Sequence, residues 1–175
     1  MIDAGGPPTR RSSRLIEGDP TVPNDQPPAL DPGLERALAA GLFNSTWTLL
    51  TKEPRTADEV DSMIHAAHAS RHHWAAVGGP EHRARGEWQC SRVYAVLGRG
   101  EPALWHARRC LEICEANGIG DWDLAFAHEA LARAYRVAGD PARSEEHLAL
   151  ARAAGETIAD TEDRDLLEAD LATIR

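Results

Sequence analysis

The sequence predicts an all-α domain, and three observations lead to this prediction. Alanine is abundant and β-branched residues are sparse, no stretch alternates polar and apolar residues over a useful length, and helix-starting and helix-ending residues recur from Asp31 onward. A chain of 175 residues, 42% of them hydrophobic, is long enough to bury a core. We expect about seven helices, near residues 33–52, 57–77, 80–97, 102–117, 122–138, 141–155 and 162–173.

Each expected helix has a residue that favours its start or its end. Side chains that cap the free backbone N–H groups of a first turn, and prolines that fit there, mark the starts. These starts are Asp31-Pro32, Thr56 with Glu59, Gly79-Pro80, Asp121, Asp140-Pro141 and Asp160-Thr161. Glycines, which end helices readily, follow at Gly78, Gly98, Gly118, Gly139 and Gly155.

The segment before the first helix has a different composition. Residues 1–33 contain a concentration of prolines and glycines and show no periodic apolar face. Such a segment cannot offset its ordering entropy by burial. The sequence therefore predicts a disordered tail over residues 1–30 and a single helical domain over residues 31–175.

Charge and cysteine content exclude several classes of protein. The 19 Lys and Arg residues against 28 Asp and Glu give a formal charge of -9, so a nucleic-acid partner is not expected. No apolar run is long enough to cross a bilayer, and the N-terminus lacks the apolar segment of a signal peptide, so no membrane partner is expected either. Three cysteines are an odd number that suits a reduced, cytoplasmic protein.

The helices also repeat with a period of 41 residues. Residues 92–98 and 133–139 share Arg, Tyr, Val and Gly at matching positions, and the helices after them agree at small residues and at one histidine. The matched columns are Ala103 with Ser144, His106 with His147, Ala107 with Leu148 and Cys110 with Ala151. A further shift places Ser62, His65, Ala66 and Ala69 in the same columns. Three helix pairs, 33–77, 80–117 and 122–155, therefore precede a closing helix.

The spacing of Tyr135, Gly139-Asp140, Ser144 and Ala151 resembles a tetratricopeptide repeat. A second copy is formed by Tyr94, Gly98, Ala103 and Cys110. The period exceeds the usual length of about 34 residues and is similar to the longer repeats of some bacterial regulators and kinesin light chains. This resemblance implies a short right-handed solenoid of antiparallel helix hairpins, with a ligand groove lined by the first helix of each pair.

The resemblance places six candidate ligand-binding residues in that groove, which are Arg85, Trp88, Arg92, Phe126, Glu129 and Arg133. Arg92 and Arg133 share a column, and two guanidiniums beside aromatic rings suit a peptide or a small anionic ligand. The alternative is that both arginines pair with acids of the chain itself, such as Glu129, Glu87 or Asp123. A non-catalytic binding or adaptor module is the preferred function, and a homodimer formed through an uncapped first pair is a further expectation.

Histidines form a second candidate site. His65, His68, His72 and His73 fall within nine residues, and the spacing of His68 and His72 allows two imidazoles to share one metal ion. Glu87, His82 or Cys90 would supply a further ligand from the next helix. Against this, His65, His106 and His147 share one repeat column, which favours a packing role for that column. No cofactor is expected beyond a divalent transition metal at His65, His68, His72 and Glu87.

Two alternative functions remain open at this point. One is a small metal-dependent enzyme that uses His68 and His72 with Glu87 as acid, base or ligand, and Arg92 or Arg109 as a charge clamp. The other is a self-associating fragment of the repeat regions that bacterial regulators carry.

Overall fold

The computed structural model describes residues 29–175, which form seven α-helices and, within that range, no β-strand. These are α1 Pro32–Leu50, α2 Ala57–Val77, α3 Pro80–Val96, α4 Gly100–Asn117, α5 Asp121–Val137, α6 Pro141–Gly155 and α7 Thr161–Leu171. The predicted all-α class and the number of helices are confirmed, and every helix end lies within two residues of its predicted position. The predicted tail lies outside the described residues except for its last two positions.

Side-chain caps start most of the helices. The Asp31 carboxylate accepts hydrogen bonds from the N–H groups of Gly33 and Leu34, at 2.9 and 3.1 Å. Thr56 and Glu59 form a reciprocal capping box. Asp140 and Asp160 cap α6 and α7 in the same way as Asp31 caps α1. These local bonds are why the predicted starts are accurate.

Asp121, expected as a cap or first-turn residue, lies in the first turn of α5. It is the first residue of α5, its φ is 53°, and Gly120 occupies the cap position. The start of α5 is therefore correct in position although its side-chain cap is absent.

Three of the five predicted terminal glycines adopt the left-handed conformation that ends helices. Gly98, Gly118 and Gly139 have φ values of 69°, 62° and 81°. Gly78 is extended instead, and Gly155 is the last residue of α6. A Cβ at Gly155 would lie 2.7 Å from Cδ2 of Leu167, so this glycine allows α7 to approach α6 closely.

Neighbouring helices pack in pairs, α1 with α2, α3 with α4 and α5 with α6, and the pairs contact one another. Helix α3 has a central position because it contacts α1, α2, α4 and α5. The main core extends over α3 to α7, and a smaller one, formed by Met63, Ala67, Cys90 and Val93, fills the space between α2 and α3. Side chains of α2 and α4 therefore pack against α3 from two sides.

The small residues of the repeat columns are buried in the second and third pairs but not in the first. Ala103, Ala107, Cys110, Ser144 and Ala151 are all at most 2% exposed. Ser62 of α2 is exposed and Ala69 is half-buried. Helices α4 and α6 are therefore the ones that pack closely against a neighbour at these columns.

The last helix packs against the third helix pair. Leu167 and Leu171 of α7 are buried, and α7 packs against α5 and α6. Over residues 29–175, no helix combines the length and the apolar character that crossing a membrane requires.

Candidate functional site

The structure brings the predicted groove residues together and pairs them with one another. The Glu129 carboxylate is fully buried and accepts hydrogen bonds from Arg92 at 2.9 Å and from Arg133 at 2.7 Å. The Asp170 carboxylate of α7 accepts a hydrogen bond from a second nitrogen of Arg92. Arg133 also donates to the Asp170 carbonyl and to the Thr173 hydroxyl. These contacts correct the expectation of a ligand between the two guanidiniums, because Glu129 lies there.

The other predicted groove residues are also engaged within the chain. Arg85 donates two hydrogen bonds of 2.8 Å to Asp123 and lies over the Trp122 ring. The indole of Trp88 donates to Glu129 at 3.1 Å, and its ring lies 5.5 Å from the Phe126 ring. Trp88 and Phe126 are therefore core residues, and Glu129 accepts hydrogen bonds from Trp88 as well as from the two arginines.

The four histidines of α2 separate into different surroundings. His65 and His72 are exposed. The ring of His72 packs edge-on against His73, which contacts Glu35 of α1 at 2.5 Å. The structure thus does not bring His65 or His72 to His68 as members of one cluster.

His82, one of the three further ligand candidates, lies elsewhere. Its ring packs against Trp74 at an interplanar angle of 33°, with the two ring centroids 4.3 Å apart. Of the remaining two candidates, Cys90 lies beside His68. Glu87 contacts His106, whose ring in turn packs against His68.

His68 forms a cluster with Cys90 and His106, from three different helices. One ligand atom from each of these residues lies within 4.8 Å of the others, and we call this set the thiol–imidazole cluster. Cys90 is fully buried, whereas the two histidines are half-buried. The rings of His68 and His106 meet edge-to-face, with centroids 5.1 Å apart.

A close crossing of α2 and α3 positions this cluster. Gly86 of α3 lies against Arg71 of α2, and a Cβ at Gly86 would lie 3.1 Å from the Arg71 Cβ. His68 is one turn before Arg71 on α2, and Cys90 is one turn after Gly86 on α3. The missing side chain at Gly86 therefore allows the imidazole and the thiol to meet.

Glu87 connects two sides of the cluster. Its Oε1 accepts from Arg71 Nε at 2.9 Å, and its Oε2 lies 2.6 Å from Nδ1 of His106. Burial would raise the pKa of the Glu87 carboxyl, but the hydrogen bond from His106 and the charge of Arg71 outweigh it and lower that pKa. The ionised carboxylate thus fixes His106 with a proton on Nδ1 and leaves its Nε2 for another partner.

Tyr94 forms one wall of the cluster. Its hydroxyl lies 2.9 Å from Nε2 of His68, and its ring stacks on His106 at 5.7 Å with an interplanar angle of 7°. The hydroxyl partner of this repeat-column tyrosine is therefore a histidine of the preceding helix pair. Burial raises the pKa of Tyr94, so the phenol stays protonated at neutral pH.

Burial favours the neutral forms of His68 and Cys90. It lowers the pKa of His68, and the charge of His106 adds to this effect. Burial also raises the pKa of the Cys90 thiol to about 12, with Glu87 contributing. A neutral imidazole and a buried thiol have free electron pairs for a metal ion once the thiol loses its proton.

A related arrangement lies 41 residues further along the chain. His147 stacks on Tyr135 at 5.5 Å, as His106 stacks on Tyr94, and Nδ1 of His147 lies 3.2 Å from Nδ1 of His128. His128 thus takes the place of Glu87, and Leu131 the place of Cys90. The two arrangements share the stack of a histidine on a tyrosine. Of these two, only the first has a thiol and a carboxylate.

His106 is the cluster residue that sequence reasoning assigned to packing. His106 shares a repeat column with His65 and His147, whereas the structure brings it to His68. The signal in the sequence was a difference between the repeats, since Glu87 and Cys90 have His128 and Leu131 at the matching positions. Glu87 and Cys90 lie one turn apart on α3, and both departures from the 41-residue match fall at or beside the cluster.

No family model matches the chain, and neither the curated proteins nor the solved structures compared with it include a match.

Proposed function

We propose that this protein binds a divalent transition metal, with zinc the best suited, through His68, Cys90 and His106. The observation that carries the proposal is the convergence of one thiol and two imidazoles within 4.8 Å from three helices. Sulfur and imidazole nitrogen are the ligands that Zn²⁺ prefers in proteins.

The cluster would contract slightly around a metal ion. Zinc binds sulfur at about 2.3 Å and nitrogen at about 2.0 Å, so ligands of one zinc ion lie roughly 3.5 Å apart. Closing the cluster from 4.8 Å to this separation needs side-chain movements of about 1 Å. Metal binding also displaces the Cys90 proton, because the thiolate is the ligand.

Glu87 supports this proposal as a positioning residue. A metal-ligating histidine commonly donates its other ring nitrogen to a carboxylate, which fixes the ring and increases its basicity. Glu87 accepts from Nδ1 of His106 and is itself held by Arg71. Both carboxylate oxygens are therefore occupied, which assigns Glu87 to orienting His106 rather than to binding the metal.

Three protein ligands leave a fourth tetrahedral position for water or an external ligand. Sites of this kind differ from closed structural sites, which use four protein ligands. When His68 donates from Nε2, the Tyr94 hydroxyl accepts that bond at 2.9 Å and keeps its own proton for a group bound at the metal. This geometry fits a metal that takes part in binding or chemistry.

We place this site in a short tetratricopeptide-like array. The matching stacks of Tyr94 on His106 and of Tyr135 on His147, at 5.7 and 5.5 Å, support a common repeat frame. The preferred sequence-based function, an acidic ligand or peptide in the concave groove, loses support because Arg92 and Arg133 are both paired with Glu129.

Titration of metal-free full-length protein with Zn²⁺ or Co²⁺ tests the proposal. We expect one equivalent to bind, with an absorption band from Co²⁺–thiolate charge transfer. Cys90→Ser should remove the band, and His68→Ala or His106→Ala should weaken binding at least tenfold, because each removes a ligand.

Matched controls are available on the same elements. His72→Ala removes an exposed histidine of α2, and His147→Ala removes the repeat counterpart of His106; both should leave binding unchanged. Loss of binding in His72→Ala but not in His106→Ala would support the site predicted from the sequence and contradict the present one. Absence of stoichiometric binding to the wild-type protein would contradict both.

A further inference from the structure

We propose a second binding site, for a phosphate group, in the cleft between α2, α3 and α4. This cleft, called here the arginine cleft, has a volume of about 420 Å³. Its lining includes Arg71 of α2, Arg83 of α3, and Arg109, Glu112 and Ile113 of α4. None of these residues belongs to the predicted groove between α3 and α5.

Three guanidiniums at one cleft contrast with the charge of the whole chain. The protein carries a formal charge of -9, so a cluster of cations needs a local reason. Arg71 is neutralised by the buried Glu87, and Arg109 pairs with Glu112. Arg83 is exposed and makes no ion pair with any residue between 29 and 175.

The arginines remain accessible to a ligand despite these pairs. The side chains of Arg71 and Arg109 are 35% and 45% exposed, and that of Glu112 is 56% exposed. An ion pair at this exposure contributes little to stability, so an anion with two charges can replace Glu112 as the partner of Arg109. Among residues 29–175, Arg83 thus has no ion-pair partner, Arg109 is weakly paired, and Arg71 is held in place by Glu87.

Phosphate fits this arrangement better than a single carboxylate does. Guanidinium groups donate in planar pairs, and three of them on three helices approach an anion from different sides. A tetrahedral phosphate has oxygens in several directions to accept these bonds, whereas the two oxygens of a carboxylate lie in one plane. Ile113 and Ala116 add an apolar wall, and the volume admits a small organic group, so both inorganic phosphate and a small phosphate monoester are suitable ligands.

Calorimetric titration of the metal-free full chain with inorganic phosphate at low salt tests this site. We expect saturable binding of one phosphate per chain. Arg83→Gln and Arg109→Gln should each weaken it about tenfold, because each removes a charge-assisted hydrogen bond worth about 1.4 kcal/mol or more. Metal-free protein is used so that failure of this proposal is distinct from failure of the proposed metal site.

Two control variants separate a local site from the general effect of net charge. Glu112→Gln should tighten binding by several fold, because it frees Arg109. Arg152→Gln and Glu168→Gln change the net charge by the same amounts at an exposed pair of α6 and α7 and should have no effect. Equal changes in the cleft variants and these controls would overturn the proposal, and so would binding that does not saturate.

Two further ligands identify the source of the phosphate group. Tighter binding of glycerol phosphate than of inorganic phosphate would show that the apolar wall contributes and that a monoester is the ligand. Equal binding would assign the site to free phosphate. Tighter binding of malonate than of either phosphate compound would overturn the assignment of phosphate in favour of a dicarboxylate.

Discussion

At the scale of single residues, two buried carboxylates organise this protein. Glu87 holds Arg71 and His106, and Glu129 holds Arg92, Arg133 and the indole of Trp88. A buried charge is tolerated only when it is paired and hydrogen-bonded, and both residues meet that condition. They differ in their surroundings, because Glu129 lies within the core whereas Glu87 lies beside a thiol and a second histidine.

Replacing Glu129 should be costly. Glu129→Ala leaves two largely buried guanidiniums without their shared acceptor, and we expect a loss of about 3–5 kcal/mol in the free energy of unfolding. Glu145→Ala, which breaks an ion pair with Arg136 at a carboxylate that is 64% exposed, should cost less than about 1 kcal/mol. Urea denaturation of the two variants compares these values, and equal losses would show that Glu129 is not the acceptor of both arginines.

The His128–His147 pair makes stability depend on pH. Burial lowers the pKa of both imidazoles, the charge of His147 further lowers that of His128, and Glu146 opposes the shift at His147. The unfolded chain therefore binds more protons, so the stabilisation is present above about pH 6.5 and is lost as the pH falls toward the folded pKa values. If both rings were protonated, both Nδ1 atoms of this 3.2 Å contact would be donors and neither could accept the hydrogen bond.

Measurement of the unfolding free energy at pH 7.5 and pH 5.5 on metal-free protein checks this dependence. His128→Gln should lose less stability than the wild type between these two pH values, because it removes one of the two titrating groups. His65→Gln, at an exposed histidine, should behave as the wild type does. An identical pH dependence in wild type and His128→Gln would contradict the assignment.

At the scale of helices, glycine has opposite roles at two positions. Gly41 lies within α1, and a Cβ there would meet no atom within 4 Å. Gly86 lies at the crossing of α3 with α2, where a Cβ would lie 3.3 Å from the Cα of Arg71. Alanine is better than glycine inside a helix when space allows, so the two positions should respond differently to the same substitution.

Gly41→Ala should stabilise the protein by about 0.5–1 kcal/mol through reduced entropy of the unfolded chain. Gly86→Ala should destabilise it by about 1–3 kcal/mol, because α2 must move away from α3. Since that movement separates His68 from Cys90, the same variant should also bind zinc more weakly. Thermal melts and zinc titration of both variants check these results, and unchanged zinc affinity in a folded Gly86→Ala protein would show that the crossing does not position the cluster.

At the scale of the whole molecule, local signals predicted the helices, and the contacts between distant helices were harder to infer. Caps such as Asp31 and Thr56 act within a few residues, so the sequence contains all that is needed to place a helix start. The position of α7 depends on packing between helices far apart in the sequence. That packing brings Asp170 to Arg92 and Thr173 to Arg133, and these contacts fill the predicted groove. No local pattern encodes that contact.

The candidate site was predictable only in part for the same reason. His68 and Cys90 were among the named candidates, and Glu87 was placed near them as an acid, a base or a ligand. His106 was missed, because residues in one repeat column were compared with each other rather than with side chains of the neighbouring pair. Helix α3 contacts both α2 and α4, so its Cys90 meets one histidine from each side.

X-ray absorption at the zinc edge of the loaded protein identifies the atoms bound to the metal. We expect one sulfur at about 2.3 Å and nitrogen or oxygen ligands at about 2.0 Å, with the sulfur absent from Cys90→Ser and one imidazole fewer in His106→Ala. The other two cysteines, Cys110 and Cys114, are also buried and serve as internal controls through their serine variants, which should retain the sulfur ligand. A zinc environment of nitrogen and oxygen alone in the wild-type protein, or a sulfur that persists in Cys90→Ser, would contradict the site formed by His68, Cys90 and His106.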